Sequence, residues 1–234
     1  MTCDNLFPVV LGARVGPGES RWTIRPWVGR LHVVPTFRAR CVRDLAWTLA
    51  GVSGAFVAIR AMEVLRPEVI ADDFSAPENE IGIGELPRAY TLSTCSMLAS
   101  PLITAARLPS VCGPLGIGVE LTAVGLRAWA MRTLRGQYAH ALRVVEDQPV
   151  IQSGPYSIVR HPGYLSALFV WLGAALSSRN TVPVALTVLA VGTAYQHRMD
   201  AEDTLLLREL PGYADYAATT GRMVPSVRTL LRAR

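Results

Sequence analysis

There is no lysine anywhere in this chain: all 23 basic residues are arginine, set against 18 acidic ones for a formal charge of +5. Charge of either sign is scarce, at 18% of residues, where a soluble domain carries about a quarter. Hydrophobic residues make up 50%. That balance excludes an ordinary soluble surface and predicts a membrane protein. The arginines sit in loops beside apolar runs, which fits the positive-inside bias and an anionic leaflet rather than nucleic acid, and no nucleic-acid partner is expected. The four cysteines, Cys3, Cys41, Cys95 and Cys112, show no CxxC pair and no Cys/His ligand spacing. They read as free, small apolar residues, and no metal site is expected. No sustained apolar run follows the start, which excludes a good secretory signal. The glycines of Gly113-Pro114-Leu115-Gly116-Ile117-Gly118 open an apolar run with no strand before them, so they read as helix packing rather than a dinucleotide fingerprint.

Three regions follow from the order of the chain. Residues 1–43 hold Arg14, Arg21, Arg25, Arg30, Arg38, Arg40 and Arg43 against only Asp4 and Glu19, and Pro8, Pro17, Pro26 and Pro35 interrupt any long helix. A basic, poorly ordered cytoplasmic tail is expected there. Residues 44–140 carry apolar runs at Leu45 to Leu65, Leu92 to Ala106 and Val111 to Met131, with a polar, Pro-containing loop over residues 66–89. Glu120 falls inside the third run, where it reads equally as an intramembrane acid or as a loop residue before a later helix start. Residues 141–234 begin polar and then give two apolar runs, Leu165 to Ser177 and Thr181 to Gln196, separated by Ser178-Arg179-Asn180. Two runs around so short a turn predict a helical hairpin. Beyond it Ala201 to Leu210 reads as an amphipathic helix stopped by Pro211-Gly212, with Tyr213 and Tyr216 suited to a membrane–water interface. The expected fold is an all-α integral membrane protein of about five transmembrane helices, with a C-terminal helical hairpin and a pocket on the cytoplasmic face.

The hairpin makes the chemistry. It returns the chain to the side it left, so Arg198-Met199-Asp200-Ala201-Glu202-Asp203 comes back toward Gly154-Pro155-Tyr156-Ser157-Ile158-Val159-Arg160-His161-Pro162-Gly163-Tyr164. Pro162 disfavours a helical His161 and suits the first turn of the next helix, which holds the imidazole at a helix mouth whose free amides attract a carboxylate. Arg198 and Glu202, four residues apart, share a helix face. They either pair with each other or divide two ligands between them, the guanidinium gripping a carboxylate and the carboxylate receiving an ammonium.

The run GPYSIVRHPGYL, the apolar hairpin, the run RMDAEDTLLLRELPGYADY and a late Pro225 together resemble the isoprenylcysteine carboxyl methyltransferase family over roughly residues 141–227. The family's pattern is similar to GPY, RHP and Tyr, then Arg, a Glu-acid pair, Leu, Gly and two tyrosines. The resemblance implies an integral membrane enzyme that methylates the C-terminal carboxylate of a prenylated cysteine with S-adenosylmethionine. By position, Tyr156, His161, Pro162, Gly163 and Tyr164 match the motif lining the cofactor pocket. Glu202 matches the acid that contacts the cofactor, and Arg198 the arginine assigned to the substrate carboxylate, the catalytic and substrate-binding residue. Gln148, Pro149, Val150 and Ile151 match the cofactor strip before the glycine. The chain departs from the pattern at Gln148, where a histidine is common, at Val150-Ile151 in place of Leu-Val, and at Pro211 in place of an aromatic.

That chemistry suits the residues. A carboxylate is already ionised near neutral pH, so its attack on a sulfonium methyl needs no general base. In-line positioning and desolvation suffice. The expected partners are a prenylated protein C-terminus or another lipophilic acceptor, such as a terpenoid acid or a phospholipid amine, together with membrane lipids. An NADPH-dependent membrane sterol reductase has a similar GPY and RHP region, but resembles Arg-Asp with a later cysteine where this chain has Glu202-Asp203 and no cysteine after Cys112. A non-catalytic membrane scaffold would leave Arg198, Glu202 and His161 replaceable. The resemblance implies an endoplasmic reticulum membrane in a eukaryotic host, and the basic stretch at 132–160 puts the site on the cytoplasmic face.

Overall fold

The computed structural model describes residues 37–64, 84–103, 106–134 and 149–226. Among them the chain is helical, with no strand: α1 (Phe37–Val64), α2 (Glu85–Ala99), α3 (Cys112–Leu134), α4 (Pro162–Ser177), α5 (Thr181–Glu209) and α6 (Tyr213–Thr219), plus short 3-10 turns at Ser100–Leu102 and Gly154–Ser157. The all-helical expectation holds for these residues. Gln148 and most of the basic tail lie outside them. One segment, Val42–Met62 within α1, is long and apolar enough to cross a membrane by length and composition, and α4 is a shorter apolar helix. Large apolar side chains nevertheless point outward from all five long helices, among them Leu49 and Phe56, Leu92, Leu121, Phe169 and Leu189. So much exposed apolar surface marks membrane association.

Several element boundaries differ from the sequence expectation. The first helix starts at Phe37, so residues 37–43, assigned to the tail, are helical. The second starts at Glu85, inside the stretch read as loop. The expected amphipathic helix at Ala201 is the continuation of α5, which runs 29 residues without a break. Nothing between Gln196 and Ala201 stops a helix, since Arg, Met, Asp and Ala all sustain one. Termination comes where expected, at Pro211-Gly212, where Gly212 takes a φ of +82° that an L side chain resists.

Close packing rests on small residues. At the crossing of α3 and α4, a Cβ added to Gly173 would stand 2.6 Å from the Gly116 carbonyl oxygen. Backbones approach that closely only where side chains are absent, the usual device for helices that gain no hydrophobic drive from lipid. Gly51 of α1 meets Ser177 and Ala174 of α4 in the same way. Glu120 lies two turns into α3, buried at 4% exposure, with its carboxylate against Gly54. Glu120 is thus a buried helical residue and not part of a loop. Around α4 the apolar core gathers Trp171, Val170, Ala174 and Val191, with Tyr90 stacked on Trp171 at 4.6 Å between ring centres.

The hairpin between α4 and α5 is locked at its turn. Asn180 caps α5 by accepting from the Val182 amide at 2.9 Å, and its own amide donates to the Ile103 carbonyl at 3.1 Å. Buried Asp44 of α1 receives both Arg107 and Arg179. Those bonds fix the far end of the hairpin, and with it the register in which the two arms return.

Candidate active site

At the near end the arms meet as the hairpin requires. His161 is the N-cap of α4, in a non-helical conformation with Pro162 at the first helical position. Its backbone is held from outside the hairpin: the Arg160 amide donates to the Gly221 carbonyl at 2.8 Å and the His161 amide to the Arg222 carbonyl at 3.0 Å. Those bonds pin the C-terminal segment beside the helix mouth.

Across from it, α5 presents Arg198 and Glu202. The Arg198 Nε donates to the Tyr164 hydroxyl at 3.1 Å, and Arg198 is buried at 8% exposure. The Tyr164 hydroxyl also interacts with Glu202. Glu202 Oε2 stands 4.0 Å from His161 Nδ1 and stays partly open to solvent. Tyr164 in turn lies against the rings of His161 and Tyr195, with centres 5.6 and 5.4 Å away. Behind Tyr195, its hydroxyl and that of Tyr90 share a 2.7 Å hydrogen bond. An arginine, a carboxylate, an imidazole and tyrosine hydroxyls therefore share one end of the bundle.

The other residues singled out by sequence have different neighbourhoods. Pro162 is buried and Gly163 half-buried in the first turn of α4. Tyr156 is buried in the preceding 3-10 turn, where its carbonyl accepts from the Tyr216 hydroxyl at 2.6 Å. Val150 packs with Leu210, Tyr213 and Tyr216. Pro149 is exposed and Ile151 half-buried.

Sequence reasoning passed over the residue that ties the site together. Asp203 is 3% exposed, and four donors converge on its carboxylate. Oδ1 takes His161 Nε2 at 2.9 Å and the Tyr213 hydroxyl at 2.5 Å; Oδ2 takes Arg160 Nη2 at 3.0 Å and Arg222 Nε at 2.8 Å. Burial alone would raise its pKa. The hydrogen bonds from His161, Tyr213 and Arg160 and the positive charge available at His161 overcome that and hold the carboxyl below the usual aspartate range. Tyr213 is pushed the other way, by burial and by donating to this carboxylate. The expectation that Tyr213 and Tyr216 lie at a membrane–water interface is corrected: each is 4% exposed, because each hydroxyl finds an internal acceptor. The signal available in the sequence was position. Asp203 follows Glu202 directly, so it is turned about 100° around the helix, away from the face that Arg198 and Glu202 share.

Comparison with known proteins picks out the same stretch of the chain. Residues 116–208 match the model of the isoprenylcysteine carboxyl methyltransferase family. That segment includes His161, Tyr164, Arg198, Glu202 and Asp203. The cobalt-zinc-cadmium resistance protein CzcN of Cupriavidus metallidurans is 30% identical over 109 residues, 47% of this chain and 46% of the relative. The nickel-cobalt-cadmium resistance protein NccN of Alcaligenes xylosoxydans xylosoxydans is 29% identical over 109 residues, 47% of each chain. The match thus spans about half the length of these curated relatives. Residues 116–208, the segment that carries the hairpin and its polar mouth, are thus similar to the isoprenylcysteine carboxyl methyltransferase family.

Proposed function

We propose that this protein transfers a methyl group from S-adenosylmethionine to the carboxylate of a lipophilic acceptor, the C-terminal prenylated cysteine being the leading candidate. The observation that carries the reading is the convergence of Arg198 and Glu202 on the Tyr164 hydroxyl beside His161. The donor set suits the zwitterionic amino-acid end of the cofactor. The Glu202 carboxylate, beside His161, would receive an ammonium, and the first-turn amides of α4, which have no partner within the helix, would face a carboxylate. When bound, the cofactor supplies an electrophilic methyl on a sulfonium. Arg198 clamps the acceptor carboxylate and, being buried, does so where water competes little. The Tyr164 hydroxyl meets both charged groups. No residue need remove a proton, because the acceptor arrives ionised. The site faces the cytoplasm by the positive-inside bias of the flanking basic stretch.

A second reading keeps fold and cofactor and changes the acceptor to a terpenoid acid or a phospholipid amine. What favours it is that both curated relatives are named for metal resistance rather than for prenylated-protein processing. The deciding experiment is transfer of labelled methyl from S-adenosylmethionine to N-acetyl farnesylcysteine in membranes holding this protein, with Arg198→Ala as control. A base-labile ester that disappears in the variant supports the first reading. Cofactor binding without transfer moves the acceptor to the second, and no binding overturns both.

A further inference from the structure

Three helices bring a tyrosine to the neighbourhood of Arg198: α4 gives Tyr164, α5 gives Tyr195 and α2 gives Tyr90. Of these helices, α2 precedes the stretch that matches the family model. Two side-chain pairs tie it to the part of α5 just before Arg198. At the surface Glu85 Oε2 meets His197 Nδ1 at 2.8 Å, an exposed pair that contributes little. Inside, the hydroxyls of Tyr90 and Tyr195 share a 2.7 Å bond, and the Tyr90 ring stacks on Trp171. Tyr195 is 3% exposed, so its O–H proton needs a protein acceptor. Besides Tyr90, the groups that act on its hydroxyl are Arg127 and Tyr164. A guanidinium has no acceptor, which leaves Tyr164 as the alternative to Tyr90. Tyr195 therefore donates to Tyr90, and half-buried Tyr90 sends its own proton outward.

We infer that Tyr90 is a positioning residue for acceptor binding: by accepting from the Tyr195 hydroxyl it keeps that donor off Tyr164, and so leaves the Tyr164 oxygen to Arg198. The tyrosine pair stands on its geometry; the effect on an acceptor carboxylate rests on the role proposed for Arg198. Without the Tyr90 hydroxyl, Tyr195 turns to Tyr164, whose ring already lies 5.4 Å from its own, and draws the oxygen away from Arg198. The guanidinium then loses the bond that fixes it. Glu202 keeps its charge and its opening to solvent, so cofactor binding changes little. Removing both hydroxyls leaves no stray donor, and such a double change is close to neutral.

The test uses the full chain in detergent micelles. With 15N-labelled arginine, the Arg198 Nε–H is expected as a slowly exchanging resonance, assigned by its loss in Arg198→Lys. Tyr90→Phe, which keeps the stacked ring, should shift that resonance and speed its exchange. It should raise the KM for N-acetyl farnesylcysteine by about 2- to 10-fold, the worth of one buried hydrogen bond, and leave S-adenosylmethionine affinity, read by calorimetry, near the wild-type value. Adding Tyr195→Phe should bring resonance and KM most of the way back. Met97→Val, which thins the buried packing of α2 two turns further on, should lower the unfolding midpoint and leave the KM unchanged. An unmoved Arg198 resonance in Tyr90→Phe overturns the inference. So does a double variant no better than Tyr90→Phe, or a Met97→Val protein whose KM rises as far, since either assigns the effect to loosened packing of α2. A wild-type protein that binds the cofactor and does not methylate this acceptor overturns the acceptor reading, and the resonance still decides the positioning.

Discussion

The Nε of Arg198 lies 3.1 Å from the phenolic oxygen of Tyr164, one turn from the Glu202 that meets the same hydroxyl. Arg198 and Glu202 stand four residues apart on α5, the spacing at which opposite charges on a helix ordinarily pair. A tyrosine from α4 reaches to both, so its hydroxyl joins the two charged groups in one network.

Tyr164→Phe removes that hydroxyl and keeps the ring. The protein should fold, since the ring's contacts with His161 and Tyr195 are apolar. A hydrogen bond to a charged group contributes about 1.5–3 kcal/mol, so kcat/KM for methyl transfer should fall roughly tenfold or more. The loss should fall on both acceptor KM and kcat, because Arg198 and Glu202 both lose the hydroxyl they meet. Steady-state kinetics with acceptor and cofactor varied separately check this, and unchanged constants would remove Tyr164 from the site.

Glu202→Gln keeps shape and removes charge. The variant should bind S-adenosylmethionine more weakly, by about tenfold, while acceptor KM measured at saturating cofactor stays within a factor of a few. Arg198→Ala should do the reverse, abolishing transfer with cofactor binding largely intact. Calorimetry on both variants tests the division of labour. Loss of cofactor binding in Arg198→Ala would sink it.

Much of this site was legible in the sequence, for physical reasons that apply residue by residue. Arg160-His161-Pro162 announces a helix mouth because proline restricts the residue before it, and a three-residue turn between apolar runs must return the chain. Together those place His161 near Arg198 and Glu202. Asp203 was not legible in the same way, since a face argument sorts residues by spacing along one helix and its partners come from three other places: 160–161, 213 and 222. Tyr213 and Tyr216 were misplaced for a related reason. A tyrosine beside polar residues suits an interface, unless some distant acceptor draws it inward.

The Asp203 cluster also sets how the protein responds to acid. An aspartate in an unfolded chain titrates near 3.9. Burial raises the folded value, but the bonds from His161, Tyr213 and Arg160 more than reverse that, leaving it below the unfolded one. As pH falls, the unfolded state takes up the proton first, so the stabilisation is complete above about pH 4 and is lost as pH falls toward the folded value. Thermal unfolding in detergent from pH 7 down to 2 should show the wild-type Tm dropping below about pH 4. Asp203→Asn should start lower at neutral pH and decline less steeply, and parallel curves for the two proteins would mean the carboxylate carries no such linkage.

The small-residue crossing of α3 and α4 predicts opposite signs for one chemical change. At Gly173 an added methyl would stand 2.6 Å from the Gly116 carbonyl oxygen and 2.7 Å from Glu120 Cγ, so Gly173→Ala forces two backbones apart. Overpacking of this kind costs about 1–3 kcal/mol. At Gly125, in the same α3 helix, a Cβ would meet nothing within 4 Å. There the substitution only restricts the unfolded chain and improves helix propensity, so Gly125→Ala should be neutral or stabilising by up to about 1 kcal/mol. Because α3 and α4 set the position of His161 relative to α5, Gly173→Ala should also reduce methyl transfer, and Gly125→Ala should not. Unfolding midpoints and transfer rates measured side by side decide it: equal behaviour of the two variants would mean that the close approach at Gly116 and Gly173 does not hold the bundle.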